Sequence, residues 1–149
     1  MALASSASQS APDSRLKIGQ VAEQSGLPVK TIRYYEEIGL LVPNVERSEA
    51  GYRLFDPGVL NRLAFIKRSQ SLGLSLSEIS DILLVHDDGH LPCRVARSRL
   101  EAKVQDISAQ IEALQMLRDE LMGVLSAWKD KPSADRIAAT ICPNIQREL

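Results

Sequence analysis

Two thiols are the residues of this chain best suited to bind a metal. The 149 residues include two cysteines, Cys93 and Cys142, which are too few for the disulfide framework of a small secreted domain, so both are expected to be reduced. Two thiolates suit a soft ion: Hg(II) accepts two sulfurs in a line, whereas Zn, Cd or Pb requires a third or fourth ligand. His90, close to Cys93 in the sequence, is the best candidate for such a further ligand.

A second group of residues indicates contact with a nucleic acid. The segment VKTIRYYEEIGLL places Arg33, Tyr34 and Tyr35 side by side, which a hydrophobic core would not accommodate. An arginine binds a phosphate or a guanine edge. Successive helical residues point about 100° apart, so one tyrosine can pack inward while the other lays its hydroxyl on a backbone. Lys30 and Thr31 lie at the start of this segment, where a helix favours phosphate.

The distribution of charge agrees with this interpretation. The net charge is −1, but residues 15–73 hold nine basic and six acidic residues, whereas residues 74–149 hold nine basic and twelve acidic residues. A basic front half favours a polyanion partner.

Targeting and membrane signals are not found in the sequence. MALASSASQSAPDS lacks the charged and apolar regions of a signal peptide, and no run approaches the roughly 18 apolar residues of a membrane span. We expect a cytoplasmic protein with no membrane partner, in which residues 1–14 form a disordered tail.

The elements that position these residues are predicted to be mainly α-helical. An apolar spacing of i, i+3, i+4 and i+7 predicts a helix from Ile18 that ends at Gly26, and Pro28 begins a second helix that Gly39 closes. Two short helices joined by a tight turn indicate a helix-turn-helix, whose second helix enters the DNA major groove.

A hairpin is predicted to follow this helix-turn-helix and to form a wing. The turn residues SEAG separate short segments around Val42 and around Tyr52–Phe55. Tyr52 and Arg53, at the base of the wing, are expected to reach neighbouring phosphates.

Two further helices complete this domain. Asp56 and Pro57 read as the N-cap and first residue of a third helix, with Leu60, Leu63, Ala64 and Lys67 on one stripe. SLSE, residues 75–78, is the capping box of a fourth helix, which carries Ile79, Ile82 and Leu83 and stops at HDDGHLP.

A long helix over residues 92–128 is predicted to mediate dimerisation. Its apolar residues follow steps of four and three over about five heptads, the pattern of a coiled-coil seam. The seam comprises Leu100, Val104, Ile107, Ile111, Leu114, Leu121, Leu125 and Trp128.

This helix determines how the thiols can meet. From residue 93 to 128 it spans roughly 50 Å, and residues 128–142 reach back at most about 48 Å when fully extended. The two thiols of one chain are therefore not expected to meet. An antiparallel pair of long helices would instead bring Cys142 of one chain near Cys93 of the other, and a C2 dimer would have two such sites.

The motifs quoted above resemble the MerR family of transcription regulators. The similarity covers IGQVAEQSGLPVKTIRYYEEIGLL, then GYRLF, then LAFIKRSQSLGLSLSEI, within residues 16–128. The resemblance implies a winged helix-turn-helix, a long antiparallel coiled-coil helix and a short C-terminal metal-binding segment. It also implies DNA contacts from the recognition helix and the wing, with Tyr35 packing inward and Arg47 as a weaker candidate; the expected contacts are Lys30, Thr31, Arg33, Tyr34, Tyr52 and Arg53.

The resemblance also implies how such a regulator senses metal. Divalent-metal-sensing members carry a cysteine at the start of the dimerisation helix, as at Cys93, and a cysteine pair in the loop that follows. The ICP motif, which contains Cys142, matches the second cysteine of that pair. Residues 126–135 contain no cysteine that could be the first of the pair, which argues against coordination by three thiolates. In the family, effector binding rearranges a homodimer on an over-long promoter spacer, and RNA polymerase can then use both promoter elements.

The expected organisation has five parts: the tail, a DNA-binding domain over 15–74, a connecting helix and turn over 75–91, the dimerisation helix, and an effector-binding segment over 129–149. A thiol redox or electrophile sensor with the same DNA-binding end is the alternative. An organic-ligand sensor would usually have a larger C-terminal domain, and an iron–sulfur sensor more cysteines. Two histidines beside a turn form no active site, so we expect no enzyme.

Overall fold

The computed structural model describes residues 14–147 of the chain. The predicted disordered tail therefore lies almost entirely outside the described residues. The described residues divide into two compact units, with the boundary between Leu100 and Glu101. Among the described residues, no helix is long and apolar enough to cross a membrane.

The first unit begins with the predicted helix-turn-helix. Helix α1 spans Ile18–Ser25 and helix α2 spans Val29–Glu37. Gly26 ends α1 in the left-handed region, at φ 72°, which glycine adopts without strain. Pro28 occupies the N-cap position, so α2 begins at the next residue, one later than predicted.

The wing is confirmed as a hairpin, although its first strand was placed wrongly. Strand β2 is Val45–Arg47 and strand β3 is Arg53–Phe55. Val42–Asn44 form a 3-10 turn instead of a strand, because Pro43 lacks the N–H that a ladder needs. Strand β1, Leu16–Lys17, was not predicted; it pairs antiparallel with β3 to give the order β1-β3-β2.

Helix α3, Gly58–Ser71, begins one residue later than predicted and buries a different stripe. Pro57, not Asp56, occupies the N-cap position, although the Asp56 carboxylate still accepts the N–H of Gly58, the first helical residue, at 2.8 Å. The predicted stripe is wrong, however, because Ala64 and Lys67 are exposed. The buried residues lie about one position earlier along the helix: Val59, Arg62, Leu63, Ile66 and Ser69.

Helix α4, Leu76–Asp87, is confirmed with its capping box. The Ser75 hydroxyl accepts the Glu78 N–H at 3.1 Å, and the Glu78 carboxylate accepts the Ser75 N–H at 2.8 Å. The apolar face of α4 packs into the same core as the helix-turn-helix and the hairpin. This shared core fixes α2 relative to the wing. The largest fully buried side chains of this core are Phe55, Ile32, Leu41, Leu63, Ile66, Ile79, Ile82, Val21 and Val59.

The long helix, α5, spans Cys93–Ser126, close to the predicted 92–128. No residue of α5 is buried in the single chain. Its predicted seam is exposed along its whole length, at Leu100, Val104, Ile107, Ile111, Leu114, Leu121 and Leu125, and so is Trp128 just beyond the helix. Such a continuous exposed apolar stripe marks a surface for another helix; antiparallel pairing remains a prediction.

The second unit ends in a short helix and a folded segment. Helix α6 spans Ala134–Ala139, and the Ser133 hydroxyl accepts the Arg136 N–H at its start. The apolar residues between Ile137 and Ile141 therefore begin in this helix and continue into the segment that holds Cys142.

Candidate nucleic-acid interface and metal-ligand residues

The two adjacent tyrosines of α2 point in different directions. Tyr34 is 50% exposed, whereas Tyr35 is 5% exposed and belongs to the core. Their ring centroids lie 6.3 Å apart with the planes at 45°. The Tyr35 hydroxyl donates to Gln70 Oε1 at 2.7 Å, and burial raises the pKa of Tyr35 above its ordinary value. Tyr35 therefore anchors α2 to α3 and leaves Tyr34 facing outward, as predicted.

The other predicted contacts of α2 lie near the exposed tyrosine. Lys30 and Arg33 are exposed and Thr31 is half-buried near the start of the helix. An ammonium, a hydroxyl and a guanidinium on one short helix can donate hydrogen bonds to phosphate oxygens and to base edges.

Glu36 joins the wing to the recognition helix. Arg53 Nε lies 3.2 Å from Glu36 Oε2, and Arg47 Nη2 lies 3.6 Å from Glu36 Oε1. The Arg53 side chain is only 18% exposed, so this ion pair holds its position. Arg53 thus links β3 to α2, a role that the sequence did not reveal because the pair joins residues far apart in the chain.

Lys17 is a further cation of this surface that sequence reasoning missed. Its Nζ lies 5.4 Å from the centroid of the exposed Tyr52 ring, within cation–π range. Strand β1 brings them together, because Lys17 pairs with Leu54 of the wing. A groove of about 750 Å³ follows this edge, and its cationic and aromatic lining residues are Arg15, Lys17, Arg47 and Tyr52.

Not every basic residue of the front half faces solvent. The Arg62 guanidinium donates to both Asp87 carboxylate oxygens, at 2.5 and 2.8 Å, and Arg62 Nε donates to the Leu40 carbonyl. The hydrogen bonds from Arg62 hold the pKa of Asp87 below its ordinary value. Arg62 thus acts within the fold and does not add to the charge offered to a polyanion.

The predicted metal ligands occupy different parts of the chain. Cys93 is exposed at the first residue of α5, and Cys142 is partly buried in the second unit; both are free thiols. His90 is exposed, with its Nδ1 3.6 Å from the Asp88 carboxylate. Within residues 14–147, no three His, Cys, Asp or Glu side chains of the single chain form a group that could hold a metal. Pairing of Cys93 with the Cys142 of another chain remains a prediction.

Comparison with known proteins identifies the family. The family model described as "MerR HTH family regulatory protein" matches residues 16–84, and the model described as "MerR, DNA binding" matches residues 60–124. The mercuric resistance operon regulatory protein of Bacillus cereus is 41% identical over 108 residues, which cover 72% of this chain and 81% of that protein. This chain belongs to the MerR family.

Two solved MerR-type regulators have a similar fold. PbrR691 from Ralstonia metallidurans CH34, in complex with lead(II), superposes with a TM-score of 0.67 at 31% identity, over 79% of this chain and 91% of that one. MerR from Bacillus megaterium MB1, in complex with mercury(II), superposes with a TM-score of 0.59 at 33% identity, over 89% of this chain and 98% of that one. The expected helix-turn-helix with a long C-terminal helix is confirmed. MerR-family relatives are transcription regulators, which confirms that the chain is not an enzyme.

Proposed function

We propose that this chain is a metal-responsive transcription regulator that binds promoter DNA as a homodimer. The observation that carries the proposal is its similarity to regulators whose structures hold lead(II) and mercury(II). The proposed effector is a soft ion, Hg or else Zn, Cd or Pb. Cys93 of one chain and Cys142 of the partner bind it, with His90 as the candidate third ligand.

The donor set supports a soft ion. Thiolates select soft metals, and one thiolate from each of two chains suffices for linear coordination of Hg(II). The Cys93 thiol is exposed at the start of α5, where a second chain can reach it. A homodimer whose long helices run antiparallel brings the start of one α5 beside the end of the other, so the C2 axis generates two equivalent sites.

DNA binding is proposed for the surface around Tyr34 and the wing. Arg33 and Tyr34 face the major groove, and Lys30 and Thr31 bind phosphate at the start of α2. Tyr52 and Arg53 contact the backbone on the wing side, and the position of Lys17 beside Tyr52 adds a further phosphate contact. The pairing of Arg53 with Glu36 supports this arrangement, because it sets the angle between the wing and α2.

Activation follows from distortion of the promoter spacer. Bending a DNA site costs of order 1–6 kcal/mol, and a near-complete two-state switch needs about 5.5 kcal/mol of differential affinity. Binding of a metal to thiolates can exceed that, since structural zinc sites reach about 10–16 kcal/mol. The ion can therefore bias the dimer toward the form that underwinds the spacer, and RNA polymerase then uses both promoter elements.

A salt titration tests DNA binding. With about eight phosphate contacts per dimer, the logarithm of affinity should fall with the logarithm of salt concentration at a slope of about −7. Lys17→Ala and Lys30→Ala should each reduce the steepness, since each removes a phosphate contact from both protomers. A slope near zero for the unmodified chain in a gel-shift titration contradicts the assignment.

A mixed dimer tests the metal site. Gel shift and in vitro transcription with Hg, Zn, Cd, Pb and Cu should show a loss of response in Cys93→Ser and in Cys142→Ser homodimers. A heterodimer of one Cys93→Ser chain with one Cys142→Ser chain keeps one complete site if the thiols come from opposite chains, and none if they come from one chain. We expect it to bind half the metal of the unmodified dimer.

A thiol redox or electrophile sensor is the second candidate, favoured by the exposure of Cys93. Anaerobic purification separates the two. A metal sensor responds to added ion without oxidant, whereas a redox sensor responds to peroxide or an electrophile after chelation.

A further inference from the structure

The backbone of Cys142 is held on both sides by one residue. Gln146 Oε1 accepts the N–H of Ile141 at 2.7 Å and the N–H of Cys142 at 3.0 Å. The N–H of Gln146 donates to the carbonyl of Cys142 at 3.0 Å. Both peptide groups that flank the Cys142 Cα are therefore bonded to Gln146.

A second residue ties this turn to the segment that follows α5. Asn144 is buried, and its side chain bonds both backbone groups of Lys129. Its Oδ1 accepts the Lys129 N–H at 2.8 Å and its Nδ2 donates to the Lys129 carbonyl at 3.0 Å. Arg136 of α6 donates to the Pro143 carbonyl at 3.2 Å and to the Gln146 carbonyl, so the turn is also attached to α6.

We infer that Gln146 and Asn144 are positioning residues for the Cys142 thiol. They order the turn before any ion arrives, so metal affinity is not reduced by the entropy of ordering a loose loop. The inference rests on the proposed function. It is also motivated by the sequence, because residues 127–141 contain no other cysteine, and an ion cannot order the loop by bridging two thiolates within it.

The arrangement can be tested first in the metal-free protein. Gln146→Ala removes the acceptor shared by two amides, whereas Gln146→Glu keeps a side-chain oxygen at the same reach. Hydrogen exchange of the Ile141 and Cys142 amides should speed up at least tenfold in Gln146→Ala and stay close to the unmodified rate in Gln146→Glu. Gln105→Ala, on an exposed part of α5, is the matched control and should change neither rate.

Metal affinity provides the second measurement. Hg(II) is added to the full chain in competition with free cysteine, and the metal that stays with the protein is measured after gel filtration. Gln146→Ala should bind about tenfold more weakly, which corresponds to about 1.4 kcal/mol, and Gln146→Glu should remain within about threefold of the unmodified chain. Asn144→Ala should weaken binding at least as much, since it releases the whole turn from Lys129.

The outcomes separate the inference from the proposed function. If Cys142→Ser binds Hg(II) as well as the unmodified chain, the proposed metal site is wrong. If Cys142→Ser loses binding while Gln146→Ala and Asn144→Ala keep full affinity and slow exchange, only the positioning role is overturned. If Asn144→Ala fails to fold, Gln146→Asn is used in its place. This substitution withdraws the amide by one methylene, and the same two measurements then test the positioning role.

Discussion

Removing the carboxylate of Asp87 should destabilise the first unit more than any exposed acidic substitution. Asp87 is the last residue of α4, and its carboxylate receives both terminal nitrogens of the Arg62 guanidinium. Arg62 Nε donates to the carbonyl of Leu40, just after α2. Asp87→Ala therefore leaves a buried cation without its partner and loosens a contact that holds the recognition helix in place.

The magnitude follows from the exposure of the pair. Removing one partner of a fully buried ion pair costs about 3–5 kcal/mol, because the remaining charge is uncompensated. The Arg62 side chain is 7% exposed but that of Asp87 is 23% exposed, so water already reaches the carboxylate. We expect Asp87→Ala to lower the free energy of unfolding by about 2–3 kcal/mol, reduced from the buried value for this screening.

Urea denaturation of the full chain at fixed concentration measures this loss, with Asp88→Ala as the control. Asp88 is the next residue and its side chain is 82% exposed, so its removal should change stability by less than about 0.5 kcal/mol. Because the pKa of Asp87 is lowered in the folded protein, its contribution is complete well above the ordinary value of 3.8 and is lost as pH falls through the lowered value. The gap between the unmodified chain and Asp87→Ala should therefore close on acidification.

Equal losses for the two substitutions at neutral pH would refute the reasoning, and so would a gap that widens in acid. A double variant, Arg62→Met with Asp87→Ala, provides an internal check. It should be more stable than Asp87→Ala alone, because it no longer buries an unpaired cation.

Three further predictions follow from other contacts. Tyr35→Phe should cost about 1 kcal/mol in urea denaturation by removing the bond to Gln70, whereas Tyr34→Phe should leave stability unchanged and weaken DNA binding in a gel shift. Ser75→Ala should lower the free energy of unfolding by about 1 kcal/mol through loss of the capping box. Leu114→Glu, in the exposed stripe of α5, should convert a dimer to a monomer in analytical ultracentrifugation, since a charge in an apolar seam opposes pairing.

Local sequence signals predicted the helical part of the fold well. The box from Ser75 to Glu78 and the left-handed Gly26 each act within a few residues, so their effect is visible in the sequence alone. The long α5 was predictable because its apolar steps repeat over many turns. Helical periodicity also predicted that Tyr34 and Tyr35 face different ways, because adjacent residues of a helix point in different directions.

What escaped prediction depends on contacts between distant residues. Strand β1 has two residues and no periodicity, so only its pairing with β3 makes it a strand, and that pairing brings Lys17 to Tyr52. The buried stripe of α3 was misplaced because Arg62 reads as a surface residue until Asp87, 25 positions away, is known to receive it. For the thiols, the sequence supplies the donor chemistry, but the pairing proposed for them involves a second chain.

The attachment of Gln146 beside Cys142 affects how the protein should be handled in the laboratory. Arg147, the next residue, donates to the Ala127 carbonyl, so the described chain remains folded up to this point. A polyhistidine tag inserted directly after Arg147 would place a row of imidazoles a few residues from Cys142, the proposed metal ligand. Apparent selectivity for zinc or nickel in such a preparation would then belong to the tag, so purification handles and fluorescent reporters are better placed away from this segment.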